Sequence, residues 1–203
     1  MDDERYLDKS LTAFLDAIAA RERAPGGGSA AALTVACAAG LVAMVARSSR
    51  DVWKDAPGVA AQALTLQDRA SALMHWDAEA WEQALDALRA AADPTPLDVE
   101  RNGPRRDFAL EQKLERAAAI PLEIAEIGAD TANLAAQTGE HGDLAYRADA
   151  CVAAALAAGG ARAAAHLVEV NLGMRIGDER LARARASQTA AAEAAETMHA
   201  AIR

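Results

Sequence analysis

Eighteen consecutive residues, Ser29 to Ala46, carry no charge and only six large apolar side chains, Leu33, Val35, Leu41, Val42, Met44 and Val45. A second run, from Asp149 to Leu172, is nearly as thin, with alanine or glycine at half of its positions. Helices this narrow bury little area per residue. They gain stability by packing at short interaxial distances or by covering further surface with another copy of the chain. The rest of the sequence agrees with a helical answer. Strong helix formers dominate, β-branched clusters are nearly absent, and three tryptophans, two tyrosines and two phenylalanines are all the aromatic bulk available. The expectation is an all-α, elongated antiparallel helical bundle with two central small-residue helices, homodimeric, and a single domain over residues 1–203.

Periodicity places the elements. Leu11, Phe14, Leu15 and Ile18 mark an amphipathic first helix over about residues 7–23, and the second runs from Ser29 to about Arg47. Between them A-P-G-G-G-S removes side chains from a loop. Pro25 fixes its own φ, Gly26, Gly27 and Gly28 open dihedrals closed to other residues, and Ser29 is placed as an N-cap. Free N–H groups at the helix start make this loop a candidate cradle for an anion or a polar ligand edge, although a tight helix crossing uses the same residues. From Val59 to about Ala92 the seam reads Val59, Ala63, Leu66, Ala70, Leu73, Asp77, Ala80, Ala84. Asp77 is the one carboxylate on it, and a carboxylate at an apolar position needs a partner or a function unless the helix turns it outward. Pro94, Pro96, Gly103 and Pro104 predict a loop. Helix is expected again from about Arg105, kinked or interrupted at Pro121. In the second thin helix Ala153, Leu156, Gly160, Ala163 and Leu167 form the expected seam, and a last helix covers Asp178 to Arg203.

A net charge of −9 excludes a general nucleic-acid binder held by phosphate contacts. The Ser29–Ala46 run is long enough to raise a membrane span, but its few large side chains fit a buried central helix better. Cys37 and Cys151 lie inside apolar helical runs, as reduced thiols of a cytoplasmic protein do. The charged amino terminus has no signal-peptide character, and no metal-ligand spacing, nucleotide loop or hydrolase motif occurs. The remaining polar candidates are Asp77, Asp149, Arg147, His166, Asn171, Arg175 and the connection carrying Arg50 and Lys54. Asp149 also reads as a helix N-cap.

In order along the chain, F-L-D-A-I-A-A-R-E-R-A-P-G-G-G-S-A-A-A-L, D-A-E-A-W, I-P-L-E-I-A-E, G-D-L-A-Y-R-A-D-A-C-V-A-A-A-L and E-V-N-L resemble the cyclodeaminase/cyclohydrolase family. That family includes the carboxy-terminal domain of formiminotransferase-cyclodeaminase and stand-alone methenyltetrahydrofolate cyclohydrolases. The resemblance implies an all-helical homodimer acting on one-carbon forms of tetrahydrofolate, with no metal and no cofactor beyond that substrate. It implies Asp149 first and Asp77 second as catalytic carboxylates. Gly26, Gly27, Gly28 and Ser29 would grip the ligand, and Arg50, Lys54 and Arg147 would answer its glutamate tail. Three departures from the family pattern stand out: S-S-R-D at Ser48–Asp51 in place of a more basic element, A-A-A at Ala90–Ala92 in place of L-P-K, and Gly142-Asp143 in place of G-N. They keep open a second reading, a catalytically inactive or repurposed helical dimer that binds a small ligand or a protein.

Overall fold

The computed structural model describes residues 6–21, 24–92, 96–173 and 177–200, with the side chains of 96–107 set aside. Among the described residues there are six α-helices and no strand: α1 Leu11–Ala19, α2 Gly27–Ser48, α3 Ala56–Ala92, α4 Pro96–His141, α5 Arg147–Leu172 and α6 Glu179–Ala200. One 3-10 turn precedes α1 and another, Leu144–Tyr146, precedes α5. The helices pack as a bundle. The core joins α2, α3, α4 and α5, and α6 lies outside against α4 and α5.

The two thin helices meet at the centre, antiparallel to each other. Leu167 lies by Gly27, Gly160 packs on Ala31 and Val35, and the Ser49 hydroxyl accepts the Asp143 N–H at 2.9 Å. A Cβ at Gly160 would stand 2.6 Å from Val35 Cγ2, so this glycine sets how closely the helices approach. Gly128 does the same between α4 and α5, where a Cβ would stand 2.9 Å from that of Ala161. Both α2 and the Leu144–Leu172 segment are long and apolar enough by composition to cross a membrane, but 61% of the most apolar stretch of α2 is buried inside the bundle. The second segment is only 44% buried there, and its exposed face carries Arg162 and His166 beside Val152, Leu156, Gly159, Ala163 and Val170.

Several local expectations change. α1 is shorter than predicted, starting after Ser10, whose Oγ accepts the Ala13 N–H at 3.1 Å. Helix α2 starts two residues early and is capped by Gly26, so Ser29 is not the N-cap but part of the first turn, and it is fully buried. Gly26 is extended (φ −130°) and neither Gly27 nor Gly28 has positive φ, so these glycines are not there for dihedral freedom. The predicted loop over 94–104 is helix from Pro96 onward, because proline at a first helical position loses no hydrogen bond. Residues 93–95 and Arg175 lie outside the described residues. Helix α4 also continues through Pro121.

The α3 seam matches in detail: Val59, Ala63, Leu66, Ala70, Leu73, Ala80 and Ala84 are buried, and only Asp77 is half-buried. The α5 seam does not. Ala153 and Gly160 face inward, but Leu156 and Ala163 face outward, and Ala150, Ala154, Ala157, Ala161, Ala164 and Val168 form the true buried face. In a helix apolar on every side, periodicity does not mark which face is inner.

Candidate functional site

The start of α2 meets the middle of α3. Ser29 Oγ donates to the Met74 carbonyl at 2.8 Å, a fully buried hydrogen bond that fixes α3 against the glycine loop. Three residues on, the Asp77 carboxylate lies over Gly28, so close that any Cβ there would run into it. Close approach by a carboxylate, not backbone conformation, is therefore what requires glycine at position 28. The Ser29 N–H hydrogen-bonds this carboxylate. A backbone donor at a helix N-terminus is a natural anion partner.

Asp77 is pulled in two directions. Burial pushes its carboxyl up to about 6, and the hydrogen bond from the Ser29 backbone opposes the rise. Desolvation prevails. The group therefore changes protonation near neutral pH, where it can give and take a proton.

Beside it opens a cavity of about 170 Å³, lined by Ala24, the three glycines, Asp77, Ala78, Trp81, Ala117, Leu167, Val170 and Asn171. Its walls come from the loop, α3, α4 and the end of α5. Asp77 is the only ionisable side chain among them. Trp81 sits one turn beyond Asp77 and is 36% exposed, offering an indole face at the mouth. Opposite, Asn171 Nδ2 donates to the Ala117 carbonyl at 2.6 Å.

The sequence candidates divide into two groups. Asp77, Gly26, Gly27 and Gly28 line the cavity, with Ser29 directly behind them. Asp149 and Arg147 lie in the first turn of α5, which adjoins the far end of α2. Arg50 and Lys54 are exposed in the turns that follow α2, at that same far end. Across the 22 residues of α2 the separation is about 33 Å. Within one chain Asp149 does not face the cavity, nor does it cap α5: Tyr146 holds the cap position. Arg147 Nε donates to the Gly139 carbonyl at 3.0 Å. Asp51 and Ala90–Ala92 are remote as well, Ala92 being fifteen residues, or about 22 Å, past Asp77 along α3. Among the described residues no three His, Cys, Asp or Glu side chains gather as a metal site.

Trp81, Ala117, Leu167 and Val170 were not selected from sequence. Trp81 had a signal, since an aromatic four residues after a seam carboxylate shares its face. The others follow only from knowing which helix ends meet.

The comparisons with known proteins agree with this architecture. The family model described as Formiminotransferase-cyclodeaminase matches residues 10–194. Formimidoyltransferase-cyclodeaminase of Sus scrofa is 34% identical over 158 residues, which are 75% of this chain and 28% of that protein. The chain thus spans little more than a quarter of the length of this mammalian relative. Methenyltetrahydrofolate cyclohydrolase of Methylorubrum extorquens is 28% identical over 170 residues, covering 81% of this chain and 79% of its own. In fold, the crystal structure of formiminotetrahydrofolate cyclodeaminase from Thermotoga maritima superposes with a TM-score of 0.79 over 94% of this chain and 93% of its own, at 22% identity. With a matching family model over most of its length, this chain belongs to the formiminotransferase-cyclodeaminase family.

Proposed function

We propose that the chain is a folate one-carbon enzyme, a formiminotetrahydrofolate cyclodeaminase or a methenyltetrahydrofolate cyclohydrolase, with Asp77 as its proton-handling group. One observation carries the proposal: a carboxyl raised to about 6, the one ionisable side chain among the described residues lining a mostly apolar cavity, at a helix start stripped of side chains. Both reactions pass through a tetrahedral carbon flanked by nitrogens. In cyclodeamination N10 attacks the formimino carbon, the N10 proton passes to the former imino nitrogen, and protonated Asp77 gives that nitrogen a second proton as its bond to carbon breaks and ammonia leaves. In the hydrolase direction water adds to the cationic methenyl carbon and gives a proton to the Asp77 carboxylate; Asp77 returns that proton to N5 as the C–N5 bond breaks, and the hydroxyl proton is released as the formyl group forms on N10. The cation-bearing N–C–N unit in each case suits a cavity in which Asp77 is the one formal charge among the described lining residues.

A 170 Å³ cavity lies below the usual range of about 300–1,000 Å³ for small-molecule sites. It takes the reacting ring system against Trp81 and leaves the glutamate tail outside. No cofactor beyond the tetrahydrofolate is needed for this chemistry, and unpaired Cys37 and Cys151 suit a reducing cytoplasm.

The proposed assembly is an elongated homodimer paired along α5. Val152 (50% exposed), Leu156, Gly159, Ala163 and Val170 (57% exposed) form a mostly apolar stripe down this helix, interrupted by His166 and flanked by Arg162, and Gly159 has open space where a Cβ would be. A two-fold axis through the middle of the stripe sets two α5 helices antiparallel. The start of one then faces the end of the other, so Arg147 and Asp149 of the partner subunit approach the cavity they do not reach within one chain. This arrangement keeps a role for those two residues and for the basic turn beside them.

The test is to titrate purified protein with 5,10-methenyltetrahydrofolate, following its absorbance as the ring opens, and separately to supply 5-formiminotetrahydrofolate and measure ammonia. Turnover of either establishes the reaction. Binding without turnover leaves the inactive, ligand-binding reading, and neither binding nor turnover removes the folate assignment.

A further inference from the structure

Two motifs of the sequence, I-P-L-E-I-A-E and E-V-N-L, have no evident connection until the fold is seen. Pro121 lies inside α4 and has no N–H, so the carbonyl of Ala117, four residues earlier, lacks its ladder partner. The side chain that donates to this carbonyl belongs to Asn171 of α5, with Nδ2 at 2.6 Å. Ala117 and Asn171 both line the cavity that holds Asp77. A carbonyl only accepts, so it dictates which way round the amide stands: the NH₂ group faces Ala117 and the carbonyl Oδ1 is directed away from it. An amide free to flip presents either a donor or an acceptor to a ligand. This one is held in a single orientation by a gap in a neighbouring helix.

We infer that Asn171 is a specificity-determining residue of the cavity, oriented by the carbonyl that Pro121 leaves unpaired, and that its Oδ1 accepts a hydrogen bond from a ring N–H of the ligand. With Asp77 it gives the cavity two acceptors on different walls. The class of ligand selected is a nitrogen heterocycle that presents N–H donors on one edge and its reactive carbon toward Asp77. Rings of the same size that lack this N–H, or carry it alkylated, leave Oδ1 without a partner and bind more weakly. The choice of a pterin-type probe rests on the folate reading above.

A purely structural role for Asn171, closing the gap left by Pro121, predicts different results, and two experiments separate it from ligand selection. In the first, Asn171→Ala is made in the native chain and in a Pro121→Ala background, where residue 121 again supplies an N–H to Ala117. The expected result is that Asn171→Ala lowers the melting temperature in the native chain but hardly at all in the Pro121→Ala background, while weakening methenyltetrahydrofolate binding about tenfold in both. Binding unchanged by Asn171→Ala in the Pro121→Ala background overturns the inference. The second experiment needs no change at Pro121. Native protein and Asn171→Ala are compared for affinity toward methenyltetrahydrofolate and its analogue methylated at the pyrimidinone N–H. The native protein is expected to disfavour the analogue about tenfold and Asn171→Ala to bind the two alike; equal discrimination by both proteins overturns the inference. Native protein that binds neither compound removes the folate reading and this inference together, whereas native binding with either overturning result removes the inference alone.

Discussion

Asp77 holds the same position in the sequence argument and in the structure: the one carboxylate on an apolar seam, half-buried where its neighbours along the seam are buried. Its raised pKa has a consequence for stability whose sign is fixed. The folded state holds this proton up to about pH 6, and the unfolded chain releases it near 3.8. Folding is therefore penalised as pH rises from about 4 through 6, and the full penalty is present above it. The shift corresponds to about 3 kcal/mol at most. Asp77→Asn removes it, so thermal melts should show the variant about 1–3 kcal/mol more stable than the native protein at pH 8, with the two converging below pH 4. The adjacent glycines give a second prediction. A Cβ at Gly28 displaces the Asp77 carboxylate, whereas one at Gly27 meets only Leu167 Cδ1 at 4.0 Å. Circular dichroism melts should find Gly27→Ala folded close to native stability and Gly28→Ala destabilised by about 1–3 kcal/mol. The sequence pointed to this loop but gave the wrong reason for it. Stereochemistry alone suggests dihedral freedom, and the close carboxylate is visible only when α3 is packed against α2.

Legibility at the scale of elements followed contrast. Large and small residues alternate along α3, so its buried face could be read residue by residue. Along α5 all faces are small and apolar, and the predicted seam mixed inward Gly160 with outward Leu156 and Ala163. Pro96 and Pro104 led to a loop because proline is a breaker in a helix interior, yet Pro96 occupies a first position, where it is tolerated. Ion pairs between helices, such as Arg69 with Glu123 at 3.1 Å and Arg183 with Glu126 at 2.6 Å, are exposed and add little to stability. Interhelical distance matters more. Gly160→Ala pushes on Val35 and the Ala31 carbonyl and should cost about 1–3 kcal/mol in a denaturant titration. Gly58→Ala, in the first turn of α3 with nothing within 4 Å of the new methyl, should instead gain up to about 1 kcal/mol from helix propensity. Opposite signs at two helical glycines would confirm that packing distance, not helix propensity, fixes Gly160.

At the scale of the molecule, the antiparallel pairing of α2 and α5 separates the candidate residues into two ends, which no single-chain sequence pattern reveals. Each end is legible alone; their distance is not. The α5 stripe offers the connection, and its test is direct. Sedimentation should show a dimer for the native chain and a folded monomer for Leu156→Arg, because an arginine on the stripe is buried by the second helix without a partner charge. If the partner subunit supplies Asp149, the monomer also loses activity although its own cavity is intact. The direction of the pH dependence separates the two reactions at that cavity: cyclodeamination, which uses protonated Asp77, slows as pH rises through about 6, and hydrolysis, which uses the carboxylate, accelerates. The central claim is that Asp77 handles the proton, and kcat of Asp77→Asn on methenyl- and formiminotetrahydrofolate tests it most directly. The account predicts a fall of about 10²-fold or more in the reaction the native protein performs, in a variant at least as stable as the parent; turnover by Asp77→Asn at the native rate would contradict it.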